Sequence, residues 1–281
     1  MIGGVSNLSE FYKILGWPED PYSDAGRKRF ENALKFMEIL TKHRWMRNIL
    51  NKRKVIKILD VCGGTGIGGI ALTKVLLDNG FKVDLSIADL REDALETAQK
   101  WGREVLGIEI KTTVIDVRDI YNIGEKDFNI VLLYGLSTPH FNPWDIVKMY
   151  VSISQILSKE GLFIIDEADR RKTIFLTTGY KWSLAESVGE NNVGLSLHIG
   201  YDSIKGTFKR VFLNIKEKPR FFTYEIFLWG LAEIAALTWI FFKSVDLINL
   251  ERSRYFILGY RPRKIIKPED LKIPDFLSKI S

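Results

Sequence analysis

The sequence predicts an α/β fold, a parallel sheet wound with helices on both faces and carrying an antiparallel ribbon late in the chain. Three observations predict it. Between about residues 53 and 168, short apolar runs alternate with helical patterns. Those runs are apolar almost throughout, as strands covered on both faces require. After about Arg170 the period changes, and apolar and polar residues alternate along segments joined by short polar links.

Residues 1–52 read as a helical cap. In "SDAGRKRFENALKFMEILTKHRWMRNIL", Phe30, Leu34, Met37 and Leu40 share one helical face, and Ser23 or Asp24 suits the N-cap. "VIKILDV" is the first strand. A helix follows from about Gly66 to Leu77, stopped by Asn79-Gly80. "KVDLSIADL" is the second strand and "REDALETAQKWG" its helix. "IEIKTTVIDV" and "FNIVLLYGL" are the third and fourth strands. "NPWDIVKMYVSISQILSKEG" is a helix with Asn142 as N-cap and Pro143 at its first position. "LFIIDEA" is the fifth strand.

"VGLSLHIGYD", "GTFKRVFLNI" and "RFFTYEIF" then alternate as ribbon strands, and an apolar helix covers 229–240. "FFKSVDLINL" and "SRYFILGY" make a final pair joined by a short loop, hence antiparallel. One domain is expected, with a core over 53–169 and 225–265, a ribbon insertion over 170–224 and a surface tail over 266–281.

Composition narrows the class. The 281 residues are 46% hydrophobic and 27% charged, which supports a packed core and excludes disorder. The net charge of +6 admits an acidic partner, but Lys and Arg are scattered, and the cluster "NKRKVIK" leads straight into a strand. No zinc-ligand spacing is present, and nothing resembles an RNA-binding strand. Nucleic acid and metal are therefore not expected. The single cysteine, Cys62, rules out an internal disulfide and suits the cytoplasm. The stretch 221–242 is long enough to span a bilayer. It carries Glu225 and Glu233, each costing about 2.5 kcal/mol or more in mid-membrane, so a strand followed by a helix is expected instead of a span.

The chemistry gathers at "KILDVCGGTGIGGIAL", residues 57–72. Gly64-x-Gly66-x-x-Gly69 matches a dinucleotide pattern, in which turn N–H groups meet a pyrophosphate. Asp60 argues otherwise. A carboxylate at the mouth of that turn repels a pyrophosphate and attracts the ammonium and sulfonium of S-adenosylmethionine. Asp89 ends the second strand, where a carboxylate accepts ribose hydroxyls. Asp116 ends the third, where a carboxylate takes an adenine amino group while the Val117 N–H meets a ring nitrogen. Three acids at successive strand ends line the carboxyl edge, the place where open α/β sheets bind ligands.

On these residues the sequence resembles the class I, Rossmann-like, S-adenosylmethionine-dependent methyltransferases. "ILDVCGGTG" resembles their first motif, with Cys62 where the first glycine is usual. "SIADL", "VIDV" and "FNIVLLYGL" resemble the second, third and fourth, and the likeness covers roughly 53–167 and 226–262. It implies a seven-stranded mixed sheet of order 3-2-1-4-5-7-6. It further implies that Asp60, Cys62, Gly63, Gly64 and Gly66 surround the methionyl part of S-adenosyl-L-methionine. Asp89 and Leu90 would hold the ribose, Asp116 and Val117 the adenine, and Tyr134 and Gly135 would flank the methyl group. The helical cap and ribbon resemble the lids of small-molecule methyltransferases.

Methyl transfer from a sulfonium is an in-line displacement that needs alignment, exclusion of water and, for some nucleophiles, a base. His140, after the fourth strand, is placed as that base, with Tyr134, Ser137 and Thr138 beside it. Glu167 and Asp169 follow the fifth strand and suit orientation of an amine or hydroxyl. His198 lies in the ribbon, while Tyr12 and Tyr22 in the cap can close over the cofactor. The expected activity is methyl transfer to a small molecule. An RNA or protein acceptor, a non-catalytic cofactor-binding scaffold and a nicotinamide oxidoreductase remain open, as does a homodimer paired through ribbon edges.

Overall fold

The continuous apolar runs are explained by which way successive residues point. Ile58, Ile130, Ile164 and Leu258 pack on one face of the large sheet. Their sequence neighbours Leu59, Val131, Ile165 and Ile257 pack on the other. Both faces are covered, so residues of either parity are predominantly apolar.

The computed structural model describes residues 8, 9, 11, 12, 15–188, 193–214 and 220–278. Helix α1 (Asp24–Thr41) is capped by Ser23, whose Oγ accepts the Gly26 N–H. The helix expected to run on to residue 50 instead breaks. His43 takes an extended backbone and caps α2 (Arg44–Lys52), while its Nε2 lies 3.2 Å from Asp246 Oδ2. Then follow β1 (Ile56–Val61), α3 (Ile67–Asp78), β2 (Val83–Asp89), α4 (Glu92–Leu106), β3 (Lys111–Val114) and β4 (Phe128–Leu133). Helix α5 (Pro143–Ile156) is capped by Asn142, whose side chain accepts two backbone N–H groups. It ends earlier than its sequence suggests, because Leu157 turns extended and pairs with Phe128 at the start of β5 (Leu157–Ala168).

The ribbon has four strands: β6 (Ser183–Val188), β7 (Val193–Asp202), β8 (Thr207–Asn214) and β9 (Arg220–Ile226), in that spatial order and all antiparallel. The polar edge strand β6 carries no apolar alternation that would reveal it in the sequence. Helix α6 (Leu231–Phe241) leads to β10 (Phe242–Glu251) and β11 (Arg254–Pro262). The large sheet runs β3-β2-β1-β4-β5-β11-β10, with β11 antiparallel to both its neighbours. With β10 and β11 counted as sixth and seventh core strands, this is the order 3-2-1-4-5-7-6. Residues 221–242 divide between β9, α6 and the start of β10, and among the described residues no helix is long and apolar enough to cross a membrane. A small cluster of Phe11, Phe212 and Tyr224 joins the N-terminal segment to the ribbon.

Candidate active site

The glycine turn between β1 and α3 is wound left-handed. Gly64 and Gly66 have φ of 54° and 82°, and Gly66 is the N-cap of α3. Cys62 also takes a positive φ, 52°, a conformation that costs an L-residue roughly 1–2 kcal/mol. Its side chain borders both chambers above the turn. A methyl group at Gly68 would sit 2.5 Å from Tyr134 Cβ, so α3 presses its backbone directly against the end of β4.

Asp60 is one layer deeper than the mouth position expected of it. It is fully buried beneath the turn, and its Oδ2 accepts the Gly69 N–H at 2.7 Å. Its Oδ1 has no partner among the described residues. Burial pushes its carboxyl up to about 7, against the opposing effect of the Gly69 hydrogen bond. Asp89 Oδ2 accepts the Gly64 N–H at 2.8 Å and Oδ1 the Arg91 N–H at 2.9 Å, which ties β2 to the turn. Asp116 caps the 3₁₀ turn Val117–Asn122 and is held by the Arg118 guanidinium, which in turn reaches Asp145 at 2.9 Å.

Three adjoining chambers open along this edge. One, about 90 Å³, is walled by Cys62, Asp89, Leu90, Asp116 and Val117. A second, about 30 Å³, lies over Gly63 and Gly64, with Arg29, Tyr134 and Gly135 on its far side. The third, about 440 Å³, lies between the sheet edge and the ribbon, walled by Phe11, Leu136, Phe212 and Ile226. Arg91 stands between the first two. It pairs with Glu19 at 2.9 Å and lies 4.2 Å over the Tyr12 ring. Tyr12 borders all three chambers.

A model of the ubiE/COQ5 methyltransferase family matches residues 31–186, from within α1 to β6. The chain belongs to that family. It is an S-adenosylmethionine-dependent methyltransferase. No curated protein matches the sequence. Solved structures share the fold at low identity. PH0226 from Pyrococcus horikoshii OT3 is 21% identical, with a TM-score of 0.64 over 90% of this chain and 99% of that one. An S-adenosylmethionine-dependent methyltransferase from Clostridium acetobutylicum ATCC 824 is 15% identical, with a TM-score of 0.61 over 92% and 98%. The CcbJ methyltransferase from Streptomyces caelestis is 16% identical, with a TM-score of 0.59 over 82% and 89%.

In this methyltransferase the candidate base meets two phenols. His140 Nε2 lies 3.0 Å from Tyr12 Oη and Nδ1 lies 2.7 Å from Tyr224 Oη. Burial, with Arg170 and Arg91 adding to it, brings the imidazole down to about 4. The ring is therefore neutral near pH 7, with one nitrogen donating and the other accepting. His140 borders both the first chamber and the large cavity, and Gly135 borders the second and the large cavity.

Other expected residues lie elsewhere. Tyr134 forms a wall of the second chamber, its hydroxyl pushed up to about 12, chiefly by burial. Glu167 is buried outside all three linings, bonded to the Thr138 hydroxyl, the Arg170 guanidinium and the Ala168 N–H. It is held below the cavity because Arg170 lies over it, so what it presents to the cavity is Arg170. Asp169 caps a short turn, Tyr22 bonds Glu104 on the surface, and His198 bonds Tyr180 within the ribbon.

Sequence reasoning missed Arg29, Arg91 and Glu19, and offered Tyr224 only as an apolar pocket wall or core residue, not as a partner of His140. Arg29 points from α1 at Gly135, where a Cβ would meet its Nη2 at 2.6 Å. Its bonds are to the Pro18 carbonyl and over the Trp17 ring, with no carboxylate among the described residues, and burial lowers its pKa. On the polar face of a helix it carries no sequence signal.

Proposed function

We propose that the enzyme methylates a small molecule held in the cavity beneath the ribbon. The single observation that carries this reading is the roofed cavity itself, which shares its border with the two smaller chambers at Tyr12, Trp17, Gly135 and His140. An RNA or a protein surface needs an open trough, whereas here Phe11, Phe212 and Tyr224 close the ribbon down on the sheet edge.

The residues present fit the cofactor. Arg29, a guanidinium without an acid, suits the methionyl carboxylate, and the glycine turn lies opposite it. Asp60, with an unpartnered oxygen under the turn, supplies negative potential toward an ammonium. Asp89 keeps lone pairs for ribose hydroxyls beyond its two backbone bonds. Asp116 and Val117 border the same chamber where an adenine edge would lie. S-adenosylmethionine, when bound, supplies an electrophilic methyl group on a sulfonium.

The chain's own part is alignment and proton removal. Neutral His140 takes a proton from the acceptor through the Tyr12 hydroxyl, and Tyr224 holds the ring in place from its other nitrogen. Phe11 and Phe212 keep water from the line of transfer. One reduced cysteine and this substrate class suit a cytoplasmic enzyme. The test is to incubate the protein with methyl-labelled S-adenosylmethionine and whole-cell extract, then separate small molecules from macromolecules. Label in the small-molecule fraction is expected, and label confined to RNA or protein refutes the proposal.

A further inference from the structure

The buried and half-buried arginines fall into two groups. Arg91, Arg118, Arg170 and Arg254 each meet a carboxylate. Arg29 and Arg210 meet none among the described residues. The cofactor's own carboxylate answers for Arg29, but nothing yet answers for Arg210.

Arg210 lies on β8 and is 2% exposed. Its Nε and Nη2 donate to the Ser196 hydroxyl at 3.0 and 2.8 Å, and Nη2 also to the Ser196 carbonyl at 3.1 Å. Its Nη1 donates to the Lys181 carbonyl at 3.0 Å and to the Tyr180 hydroxyl at 3.2 Å. Every acceptor is a neutral oxygen. Glu186 is reached only through the Ser196 hydroxyl. A buried cation without a counter-charge is costly, and hydrogen bonds to neutral groups offset only part of that cost.

The side chain is not sealed in a core, however. Arg210 and Tyr180 both line the large cavity, with Lys181 and Arg170 also at its wall and Glu186 the one acid there among the described residues. Arg210 borders neither cofactor chamber. Of the two guanidiniums on its wall, Arg170 is paired with Glu167, and Arg210 is the one that meets no carboxylate among the described residues.

We propose that the methyl acceptor is an apolar carboxylic acid whose carboxylate docks against Arg210. The inference rests on reading this cavity as the acceptor site. The longest of the five bonds, to Tyr180, is the one an incoming carboxylate replaces, and the Tyr180 hydroxyl keeps its 2.7 Å partner, His198 Nδ1. A carboxylate oxygen accepting that freed N–H makes a charge-assisted hydrogen bond, stronger than the neutral one it replaces. The carboxylate is a docking group and stays unmethylated, because the cofactor chambers meet the cavity at Tyr12, Trp17, Gly135 and His140 and not at Arg210.

The experiment titrates the full chain, saturated with adenosylhomocysteine, with benzoate and phenylacetate and with their amides, by calorimetry. The acids are expected to bind about tenfold tighter than the amides, the scale of one charge-assisted bond. Arg210→Gln should abolish the preference, Arg210→Lys should retain part of it, and Glu186→Gln should increase it. Equal binding of acid and amide, or a preference that survives Arg210→Gln, overturns the proposal. Should Arg210→Gln fail to fold, the outcome with Glu186→Gln decides, and no tightening there overturns it. Labelled products from cell extract separate this inference from the reading beneath it. Small-molecule label retained by an anion exchanger supports both. Label in neutral or cationic small molecules overturns the carboxylate and leaves the small-molecule reading standing. Label in macromolecules alone overturns the small-molecule reading itself.

Discussion

The two sheets handle apolar surface in opposite ways. In the seven-stranded sheet both faces are dry, and Ile58 and Leu59 are alike fully buried although they point in opposite directions. In the ribbon only the face toward the N-terminal segment is covered. Phe212 is 2% exposed, while Phe221, Ile199 and Tyr201 stand out on strands of the same sheet. The first sheet is held between two extensive apolar clusters and serves as a fixed platform. The second meets the rest of the molecule through a small aromatic cluster and a few hydrogen bonds, His140 to Tyr224 and Trp144 to the Ile204 carbonyl among them. In the proposed reading the platform carries the carboxylates and glycines that meet the cofactor, and the ribbon carries the acceptor's walls. This division predicts that substitutions in the two regions move different constants.

The largest effect is expected where the regions meet. His140→Ala should lower the turnover number by about 10²–10⁴, the usual contribution of a positioned base, and leave adenosylhomocysteine affinity unchanged by calorimetry. A loss of cofactor affinity instead would move His140 to the platform side. On the ribbon side, Phe212→Ala removes the centre of its aromatic cluster, a change costing about 3 kcal/mol. It should raise the acceptor KM and speed amide exchange in β8 and β9, with cofactor affinity intact. On the platform side, Arg29→Met should weaken cofactor binding by roughly 10- to 100-fold, as expected for losing a charged hydrogen bond, with the acceptor KM unchanged. Equal changes in both constants would break the division.

The smallest expected effect is a pH slope. Asp60 titrates at about 7 in the free protein, well above its ordinary value. A raised carboxyl pKa means that the folded state binds the extra proton. Its contribution to stability is therefore full below the unfolded value and is lost as pH rises through 7. A cationic cofactor prefers the ionised form, so its affinity should rise with pH and level off above 7, being about tenfold weaker at pH 6 than on the plateau. Asp60→Asn should flatten that profile. His140 runs the other way. Its folded value, about 4, lies below the unfolded one, so stability present above about 6.5 is lost as pH falls toward 4.

The cofactor half was legible because its demands are local. A turn that must approach a ligand needs glycines at fixed spacing, and acids at strand ends are placed by the sheet's own geometry, so Gly64, Asp89 and Asp116 announce themselves. Asp60 lies one layer deeper than the mouth position expected of it, since spacing gives a residue's place along a strand but not which side of the turn its oxygens face. The acceptor half was not legible. Arg29 and Arg210 look like ordinary charged residues on an exposed face, and only tertiary packing leaves both without acids. Glu167 read as a free carboxylate because Arg170 follows three positions later, and sequence does not say that the two close on each other. Strand β6 was missed because its side chains are mostly exposed, so no apolar period marks it.

Tyr12 is a wall common to all three chambers, with its ring stacked under the Arg91 guanidinium at 4.2 Å. In the proposed reading one aromatic ring thus partitions donor space from acceptor space, so truncating it merges the compartments and admits water to the line of transfer.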